Sequence, residues 1–420
     1  MISMRTHRKA TAFTRHRTAV ALLAVSLLAP TTAACADTDS AAAARSASPA
    51  PTEVRLSLPR PSGPHRIGRD TLHLVDEARR DPWVPSTGAR ELMVSVFYPA
   101  RRDDNDARAP YLATKEAALL LKGQKLDQRF DAEQLTSVHT NARLLARAAP
   151  GRHPLVALSP GFTLHRATLT GLAESLASRG HIVAVVDHAY ESYGTEFPDE
   201  KGSARMRTCV ACEKVGESPS TGTGENKVLA AAARNRAEDL SFVVDELTAP
   251  SRRDDGRHPD YAALIDPRRI GAAGHSLGGN AAAVAIGTDP RIRAAANVDG
   301  TFFAPVPSAG TSRPVLMLGT DKKHHPRADD TTWLREWRRL DGWKRWFTVA
   351  GSGHFTFTDL PVLSGQLGMT DPSAPLSGTR SGQITNGYVT AFFDRNLLGR
   401  HRPLLDGPSK ADPEVAFHSP

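Results

Sequence analysis

The sequence predicts an α/β fold in which a mostly parallel central sheet is covered by helices on both faces. From about residue 154 onward, apolar segments of strand length alternate with amphipathic segments of helix length, the spacing of repeated βαβ units. Within this alternation, residues 270–283 read as a short apolar strand, a tight turn and a helix that begins with small residues. No Pro/Ser-rich linker divides the middle of the chain, so we expect one domain over residues 65–400.

The individual strands and helices follow from local patterns. An antiparallel start is predicted for Thr71–Val75 and Glu91–Tyr98, because apolar side chains alternate along these segments. Residues 191–226 are rich in Gly, Ser, Thr and charge, and two interpretations stay open for them, a functional lid or a surface insertion. The later strands are expected at Pro154–Ser159, His181–Val186, Ile292–Val298, Pro314–Gly319 and Trp343–Val349, and the helices at Lys115–Lys122, Ala167–Arg179, Lys227–Leu247, Thr331–Leu340 and Ile384–Leu398.

The amino-terminal residues have the composition of an export signal. Residues 1–36 contain five basic residues and no acid, and their apolar run Ala19–Ala29 is too short to span a bilayer. Ala34-Cys35-Ala36 offers a cleavage site, which predicts secretion, and lipidation of Cys35 as in a bacterial lipoprotein is the alternative. Residues 37–64 are Ala/Ser/Pro-rich and predict a disordered tether, and residues 401–420 are expected as a C-terminal tail.

The net charge of +8 does not indicate a nucleic-acid-binding protein. Five of those positive charges lie in residues 1–36, which leaves about +3, scattered along the remaining chain. We therefore expect no nucleic-acid partner, and the oligomeric state is left open.

Two cysteines remain after the predicted signal, Cys209 and Cys212. An exported chain favours a disulfide between them. A zinc site would need a second pair of ligands at similar spacing, and the sequence offers none, so no metal is expected. A thioredoxin-like redox motif is disfavoured because we expect these cysteines in a polar loop and not at the start of a helix.

The turn within residues 270–283 has the pattern Gly-x-Ser-x-Gly, formed by Gly274, Ser276 and Gly278. This pattern is the nucleophile elbow of the α/β-hydrolases, in which a strained backbone raises the serine hydroxyl above the sheet edge. The glycines fit because a Cβ at either position would collide with a neighbouring strand or helix. We expect Ser276 to be a catalytic nucleophile. The alternative is an ordinary glycine-rich turn whose serine caps the following helix.

A serine nucleophile needs a base that takes its proton and an acid that orients the base. In this fold the three follow one another along the chain as serine, acid and histidine. His354 stands in a glycine-rich loop just after the last predicted strand and is the expected base. His324 and His325 are expected in a solvated loop, and His401 and His418 in the tail.

Two aspartates compete for the role of the acid, because each ends a strand at the catalytic edge of the sheet. They are Asp299, after Ile292–Val298, and Asp321, after Pro314–Gly319. Position in the fold permits either one. Local sequence favours Asp299, because an apolar strand precedes it, whereas lysines and histidines follow Asp321.

Three segments make the chain similar to the platelet-activating factor acetylhydrolases of the plasma type and their bacterial relatives, a branch of the α/β-hydrolases. The segments are Ser178–His188, Ile265–Ile270 and Val298–Gly300, and the resemblance covers about residues 71–398. The family's Ser-His-Gly segment reads Ser-Pro-Gly here, at residues 159–161.

The resemblance implies that Asp299 is the acid, that His354 is the base, and that the backbone N–H of Phe162 belongs to the oxyanion hole. The N–H of Leu277, next to the nucleophile, would be its second donor. The family also implies a serine ester hydrolase without metal or organic cofactor, which removes short-chain acyl groups from phospholipids. A general lipase, a carboxylesterase or a cutinase-like polyester hydrolase is the alternative. A hydrolase-fold protein that only binds would be expected to lack a triad member, and none is missing here.

Two groups of aromatic residues each have two interpretations. Residues 331–347 contain four tryptophans among basic residues, which indicates either an amphipathic helix packed on the domain or a contact with a lipid interface. Five phenylalanines near the predicted site would line an acyl pocket or belong to the ordinary core, namely Phe162, Phe302, Phe303, Phe355 and Phe357.

Overall fold

The computed structural model describes residues 54–102, 107–199, 203–217, 227–250 and 258–420. The predicted signal peptide, Cys35 and most of the predicted tether lie outside these residues. The last part of the predicted tether is ordered, because Leu56 and Leu58 are buried in an apolar cluster with the first helix of the domain. Among the helices of the described residues, none has the length and apolar character needed to cross a membrane.

A large, mostly parallel sheet forms the centre of the protein. The strands of the described residues are β1 (Arg66–Arg80), β2 (Ala89–Ala100), β3 (Arg143–Leu144), β4 (His153–Ser159), β5 (Ile182–His188), β6 (Thr195–Pro198), β7 (Ala204–Arg207), β8 (Ile265–His275), β9 (Ile292–Val298), β10 (Val315–Thr320), β11 (Lys344–Val349) and β12 (Val415–His418). Ten of them form one sheet in the order β12-β11-β10-β9-β8-β4-β5-β2-β1-β3. The six strands from β11 to β5 in this order are parallel, and β2 and β12 pair antiparallel to them. This arrangement confirms the predicted fold class.

Helices cover both faces of this sheet. They are α1 (Thr114–Gly123), α2 (Ala132–Thr136), α3 (Thr170–Ser178), α4 (Val210–Glu217), α5 (Lys227–Thr248), α6 (Tyr261–Leu264), α7 (Leu277–Thr288), α8 (Asp321–His324), α9 (Thr332–Arg339), α10 (Asp359–Gln366) and α11 (Gly378–Leu398). Successive side chains of a strand point to opposite faces. Accordingly, Leu155 and Ala157 of β4 pack in the core with α5 and α7, whereas Val156 and Leu158 pack with α3 and α11. The sheet therefore has a dry core on each side.

Three local predictions differ from the structure. β1 extends to 15 residues because it stays paired with β2 beyond the apolar stretch that predicted it. Residues 415–418 of the predicted tail form β12, whose Phe417 ring packs 4.4 Å from that of Phe347. Cys209 and Cys212 form the predicted disulfide, but Cys212 lies in the first turn of α4, so the expected polar loop is wrong.

Candidate active site

The serine turn has the geometry that its sequence pattern predicts. β8 ends at His275 and α7 begins at Leu277, so Ser276 alone forms the turn, with φ 55° and ψ −125°. Residues with a side chain rarely adopt this conformation. A Cβ at Gly278 would lie 2.0 Å from the carbonyl oxygen of Ser159, and one at Gly274 would lie 2.3 Å from the Gly278 backbone. Glycine is therefore required on both sides of the serine.

Ser276, His354 and Asp299 form a continuous hydrogen-bonded chain. Ser276 Oγ lies 2.9 Å from His354 Nε2, and His354 Nδ1 lies 2.6 Å from Asp299 Oδ2. The His354 side chain is 41% exposed, whereas the Asp299 carboxylate is completely buried. This hydrogen-bonded chain thus connects a buried carboxylate with a histidine and a serine that a substrate can reach.

Asp299, and not Asp321, contacts the predicted base. Burial opposes ionisation of Asp299, but hydrogen bonds from His324 and His354 outweigh it and hold the pKa of this carboxyl well below its usual range. The carboxylate also accepts a hydrogen bond from the backbone N–H of Thr320 at 2.7 Å. Asp321 is exposed, and its Oδ1 accepts a hydrogen bond from Thr348 Oγ1 at 3.1 Å.

His324 is part of the site, which corrects the prediction that it lies in a solvated loop. Its ring is 1% exposed and packs face to face on Trp333, with ring centroids 4.2 Å apart. Its Nδ1 lies 2.7 Å from Asp299 Oδ1, and its Nε2 lies 3.2 Å from Asp330 Oδ2. Lysines precede His324 in the sequence and indicated that it is exposed to solvent. No local pattern reveals that α8 turns the His324 ring into the core.

The two amides that we predict as oxyanion donors lie at the same edge of the sheet as the serine. Leu277 is the first residue of α7, so its N–H has no partner within that helix. Phe162 follows the Pro160-Gly161 turn after β4, at the same edge of the sheet. Across the described residues, neither amide has a hydrogen-bond acceptor. Both N–H groups are thus available to a developing negative charge on a carbonyl oxygen.

A buried polar network holds the loop that carries Phe162, and sequence reasoning missed it. Arg236 donates from Nη1 to the carbonyl oxygen of Pro160 at 2.6 Å. Beside it, Ser159 Oγ lies 2.8 Å from His188 Nε2, and His188 Nδ1 lies 2.7 Å from Asp239 Oδ2. The three side chains of this second serine–histidine–aspartate chain are buried, so a substrate cannot reach them. The residues come from β4, β5 and α5, and only tertiary structure joins them.

His275 contacts the backbone of the predicted base, His354. Its Nε2 lies 2.7 Å from the backbone carbonyl oxygen of His354, and the two rings are 4.6 Å apart. Burial and the neighbouring His354 lower the pKa of His275 to about 3. The ring is therefore neutral at physiological pH, and its single N–H can hold the His354 loop in place.

The aromatic residues divide into core and surface. Phe302 and Phe357 are buried in the core, and Phe162 and Phe303 are partly buried against it. Phe355 differs, because it is 40% exposed and its ring lies 5.7 Å from that of His354. Of the predicted acyl-pocket residues, Phe355 is thus the one with a free face beside the base.

The tryptophan-rich segment packs inward. Trp333, Trp337 and Trp346 are buried, and the ring of Trp346 packs near those of the other two. The ring of Trp343 lies near Phe392 and the Arg345 guanidinium. These contacts match the interpretation as a packed amphipathic helix. A lipid-interface contact through this segment stays a prediction that its buried tryptophans do not support.

One group of side chains in the described residues could contribute to a metal site. The ligand atoms of Asp321, His325 and His418 lie within 4.8 Å of one another at the surface. His418 Nε2 and Asp321 Oδ1 both contact the hydroxyl of Thr348, which satisfies them within the protein. No atom of the serine–histidine–aspartate chain belongs to this group.

A serine elbow with a histidine and a buried aspartate at the carboxyl edge of a mostly parallel sheet is the arrangement of the α/β-hydrolases. The family model for platelet-activating factor acetylhydrolase, isoform II, matches residues 51–247 and 257–372, and the chain belongs to this family. The predicted family is confirmed.

Individual relatives agree with this assignment. A probable 1-alkyl-2-acetylglycerophosphocholine esterase of Arthroderma benhamiae is 27% identical over 86% of this chain and 93% of its own length. The platelet-activating factor acetylhydrolase of Gallus gallus is 22% identical, with 82% and 85% covered. The solved structure of a ferulic acid esterase from Streptomyces cinnamoneus is 40% identical, with a TM-score of 0.73, and the match covers 87% of this chain and 100% of that one. The protein is therefore a carboxylic ester hydrolase.

Proposed function

We propose that the protein is an exported serine esterase that works through an acyl-enzyme. Ser276 Oγ attacks the ester carbonyl while His354 Nε2 takes its proton, and His354 then gives this proton to the leaving alcohol. Asp299 holds His354 in the tautomer that accepts at Nε2, and the N–H groups of Leu277 and Phe162 stabilise the oxyanion. A water molecule, deprotonated by His354, releases the acid and restores the serine.

The observation that carries this proposal is the hydrogen-bonded chain from Asp299 to Ser276, with links of 2.6 and 2.9 Å. These are the distances at which a proton passes between nucleophile and base. The complete chain also argues against a hydrolase-fold protein that binds without catalysis.

Short-chain acyl groups of phospholipids are the first substrate class that we propose. The names of the curated relatives support it, because they describe enzymes that act on 1-alkyl-2-acetylglycerophosphocholine and platelet-activating factor. Esters of hydroxycinnamic acids are the second class. Two observations favour them: the relative with 40% identity acts on ferulic acid esters, and the exposed ring of Phe355 beside His354 offers a face on which an aromatic acyl group could stack. A broad carboxylesterase or a polyester hydrolase stays a further alternative.

A substrate panel tests the proposal. The purified protein and its Ser276→Ala variant would be assayed on p-nitrophenyl butyrate, a 2-acetyl phospholipid, methyl ferulate and a polyester film. We expect hydrolysis by the wild type alone, and kcat/KM decides between the substrate classes. Phe355→Ala should lower kcat/KM on methyl ferulate more than on the acetyl phospholipid if aromatic stacking matters. Equal activity of Ser276→Ala would refute the mechanism.

Export is the second part of the proposal, and the sequence of residues 1–36 supports it. Expression in a secreting bacterial host should deliver protein to the medium with a new amino terminus near Asp37. Lipidation at Cys35 would instead leave the protein in the membrane fraction and add the mass of a lipid. Full-length protein confined to the cytoplasm would contradict both forms of export.

A further inference from the structure

We propose that His324 is a positioning residue of the active site, which Asp330 holds in place and which acts on His354 through Asp299. This inference rests on the proposed function, because it takes Asp299 as the acid that orients His354. It adds a second histidine and a second aspartate behind the triad, in the order Asp330, His324, Asp299, His354 and Ser276.

The two ring nitrogens of His324 face two different carboxylates. Nδ1 lies 2.7 Å from Asp299 Oδ1, and Nε2 lies 3.2 Å from Asp330 Oδ2. An ionised carboxylate only accepts hydrogen bonds, so both nitrogens have to carry a proton. The geometry therefore assigns a buried imidazolium to this position, between two carboxylates.

His324 has little freedom to leave this position. Its ring packs on Trp333, and Trp333 Nε1 donates to the carbonyl oxygen of Gly300 at 2.8 Å, directly after Asp299. Asp330 is itself held by the N–H of Thr332 at 2.9 Å and by the hydroxyl of Thr301 at 2.7 Å. A rigid partner of this kind fixes the plane of the carboxylate that it contacts.

The two carboxylate oxygens of Asp299 therefore accept hydrogen bonds from different partners. Oδ1 accepts from His324 and from the N–H of Thr320, which leaves Oδ2 for His354. The carboxylate cannot rotate away from His354 without losing both bonds at Oδ1. Charge is balanced as well, because the positive ring offsets one of the two carboxylates. One net negative charge then remains to stabilise the imidazolium that forms on His354 during the reaction.

Two substitutions at His324 separate positioning from packing. In His324→Asn the amide nitrogen takes the place of Nδ1 and keeps a donor to Asp299. In His324→Gln the amide nitrogen takes the place of Nε2, which keeps the contact with Asp330 and loses the one with Asp299. We expect His324→Gln to lower kcat on p-nitrophenyl butyrate by roughly 10- to 100-fold at nearly constant KM, and His324→Asn to stay within about tenfold of the wild type. If His324 only filled space, His324→Gln would have the higher kcat of the two variants, because glutamine is closer to histidine in volume.

Each rate would be divided by the fraction of protein that a fluorophosphonate labels, so that misfolded molecules do not count. His325→Asn is the matched control, because it changes the neighbouring histidine without touching Asp299, and its kcat should equal that of the wild type. A second readout is the pH profile of kcat/KM. Loss of the positive ring in His324→Gln should move its acid-side midpoint to higher pH, because the protonated form of His354 then meets more negative charge. The proposal would be overturned if the pH profile of His324→Gln matched that of the wild type and His324→Asn were the slower of the two variants.

A measurement without activity keeps the inference separate from the proposed function. In ¹⁵N-labelled Ser276→Ala protein, the ring nitrogens of His324, assigned by comparison with His324→Asn, should both be protonated at pH 7.5. A neutral ring would overturn the inference even if the esterase mechanism holds. Failure of the wild type to hydrolyse esters or to bind a fluorophosphonate would instead overturn the proposed function, and the ring spectrum would still decide whether His324 bridges the two carboxylates.

Discussion

Replacement of Asp299 by asparagine is the perturbation that tests most directly which aspartate orients His354. The carboxylate meets only donors, which are His354 Nδ1 at 2.6 Å, His324 Nδ1 at 2.7 Å and the N–H of Thr320 at 2.7 Å. Asparagine has one accepting oxygen and one donating NH₂ group. If its oxygen faces Thr320 and His324, its NH₂ group faces His354 and drives the proton of that ring to Nε2. The ring then cannot accept the proton of Ser276.

The size of the effect follows from the tautomer. In the serine-protease triad that serves as the general example, the equivalent change lowers kcat by about 10⁴-fold. Because His354 is partly exposed and its ring could reorient, we expect a fall of about 10²- to 10⁴-fold for Asp299→Asn. The amide oxygen of asparagine is neutral, so its hydrogen bond with the charged His324 is weaker than that of the carboxylate, which should also lower the free energy of unfolding by about 1 kcal/mol.

Asp321→Asn is the matched control, because Asp321 also follows a strand of the sheet, and within the described residues its carboxylate hydrogen-bonds to Thr348 near the surface and not to His354. Its kcat should stay within about tenfold of the wild type, because Asp321→Asn loses no contact that is specific to the transition state. The assay is p-nitrophenyl butyrate hydrolysis, with circular dichroism and thermal unfolding to establish that both variants fold. A large loss in folded Asp321→Asn together with a small loss in Asp299→Asn would refute the assignment of the acid.

Two further predictions concern stability. Removing the disulfide in a Cys209→Ser/Cys212→Ser double variant should lower the free energy of unfolding by at most about 2 kcal/mol, because the closed loop is very short. Urea unfolding with and without reductant measures this difference. A larger loss would mean that the bond anchors all of α4 and not merely its first turn. Asp394 is buried, but hydrogen bonds from His181 and Arg179 lower its pKa to about 2. Its contribution to stability is therefore complete above the ordinary aspartate pKa of about 3.9 and is lost as the pH falls through about 2. Urea unfolding at a series of pH values should show Asp394→Asn much less stable than the wild type at pH 7, with the difference shrinking below about pH 4; a difference independent of pH would contradict the assigned charge.

The elements that sequence analysis predicted well are those that local rules determine. The elbow could be predicted from the order of Gly274, Ser276 and Gly278 alone. A turn of this kind brings backbone atoms close to both glycine positions, so a Cβ at either one would collide with them. Strands β4, β5, β9, β10 and β11 were found within a few residues of their predicted bounds, since their apolar runs reflect burial on both faces.

The residues that sequence analysis missed depend on contacts between distant segments. His324 looked like part of a solvated loop because lysines precede it, and only the turn of α8 brings its ring under Trp333. Arg236 lies 76 residues from Pro160 along the chain, so no local pattern reveals that it holds the loop that carries Phe162. The tryptophans of 331–347 were ambiguous for the same reason, because burial of an amphipathic face depends on what packs against it.

Labelling of Ser276 tests the central claim most directly. The wild-type protein would be treated with a fluorophosphonate, and the intact mass and the modified peptide would be determined by mass spectrometry. The mechanism predicts one adduct per chain on Ser276, full loss of ester hydrolysis in step with labelling, and no adduct in Ser276→Ala. The buried Ser159, which belongs to the second serine–histidine–aspartate chain, should stay unmodified. An adduct at another residue, or hydrolysis that persists after Ser276 is fully labelled, would contradict the assignment of Ser276 as the nucleophile.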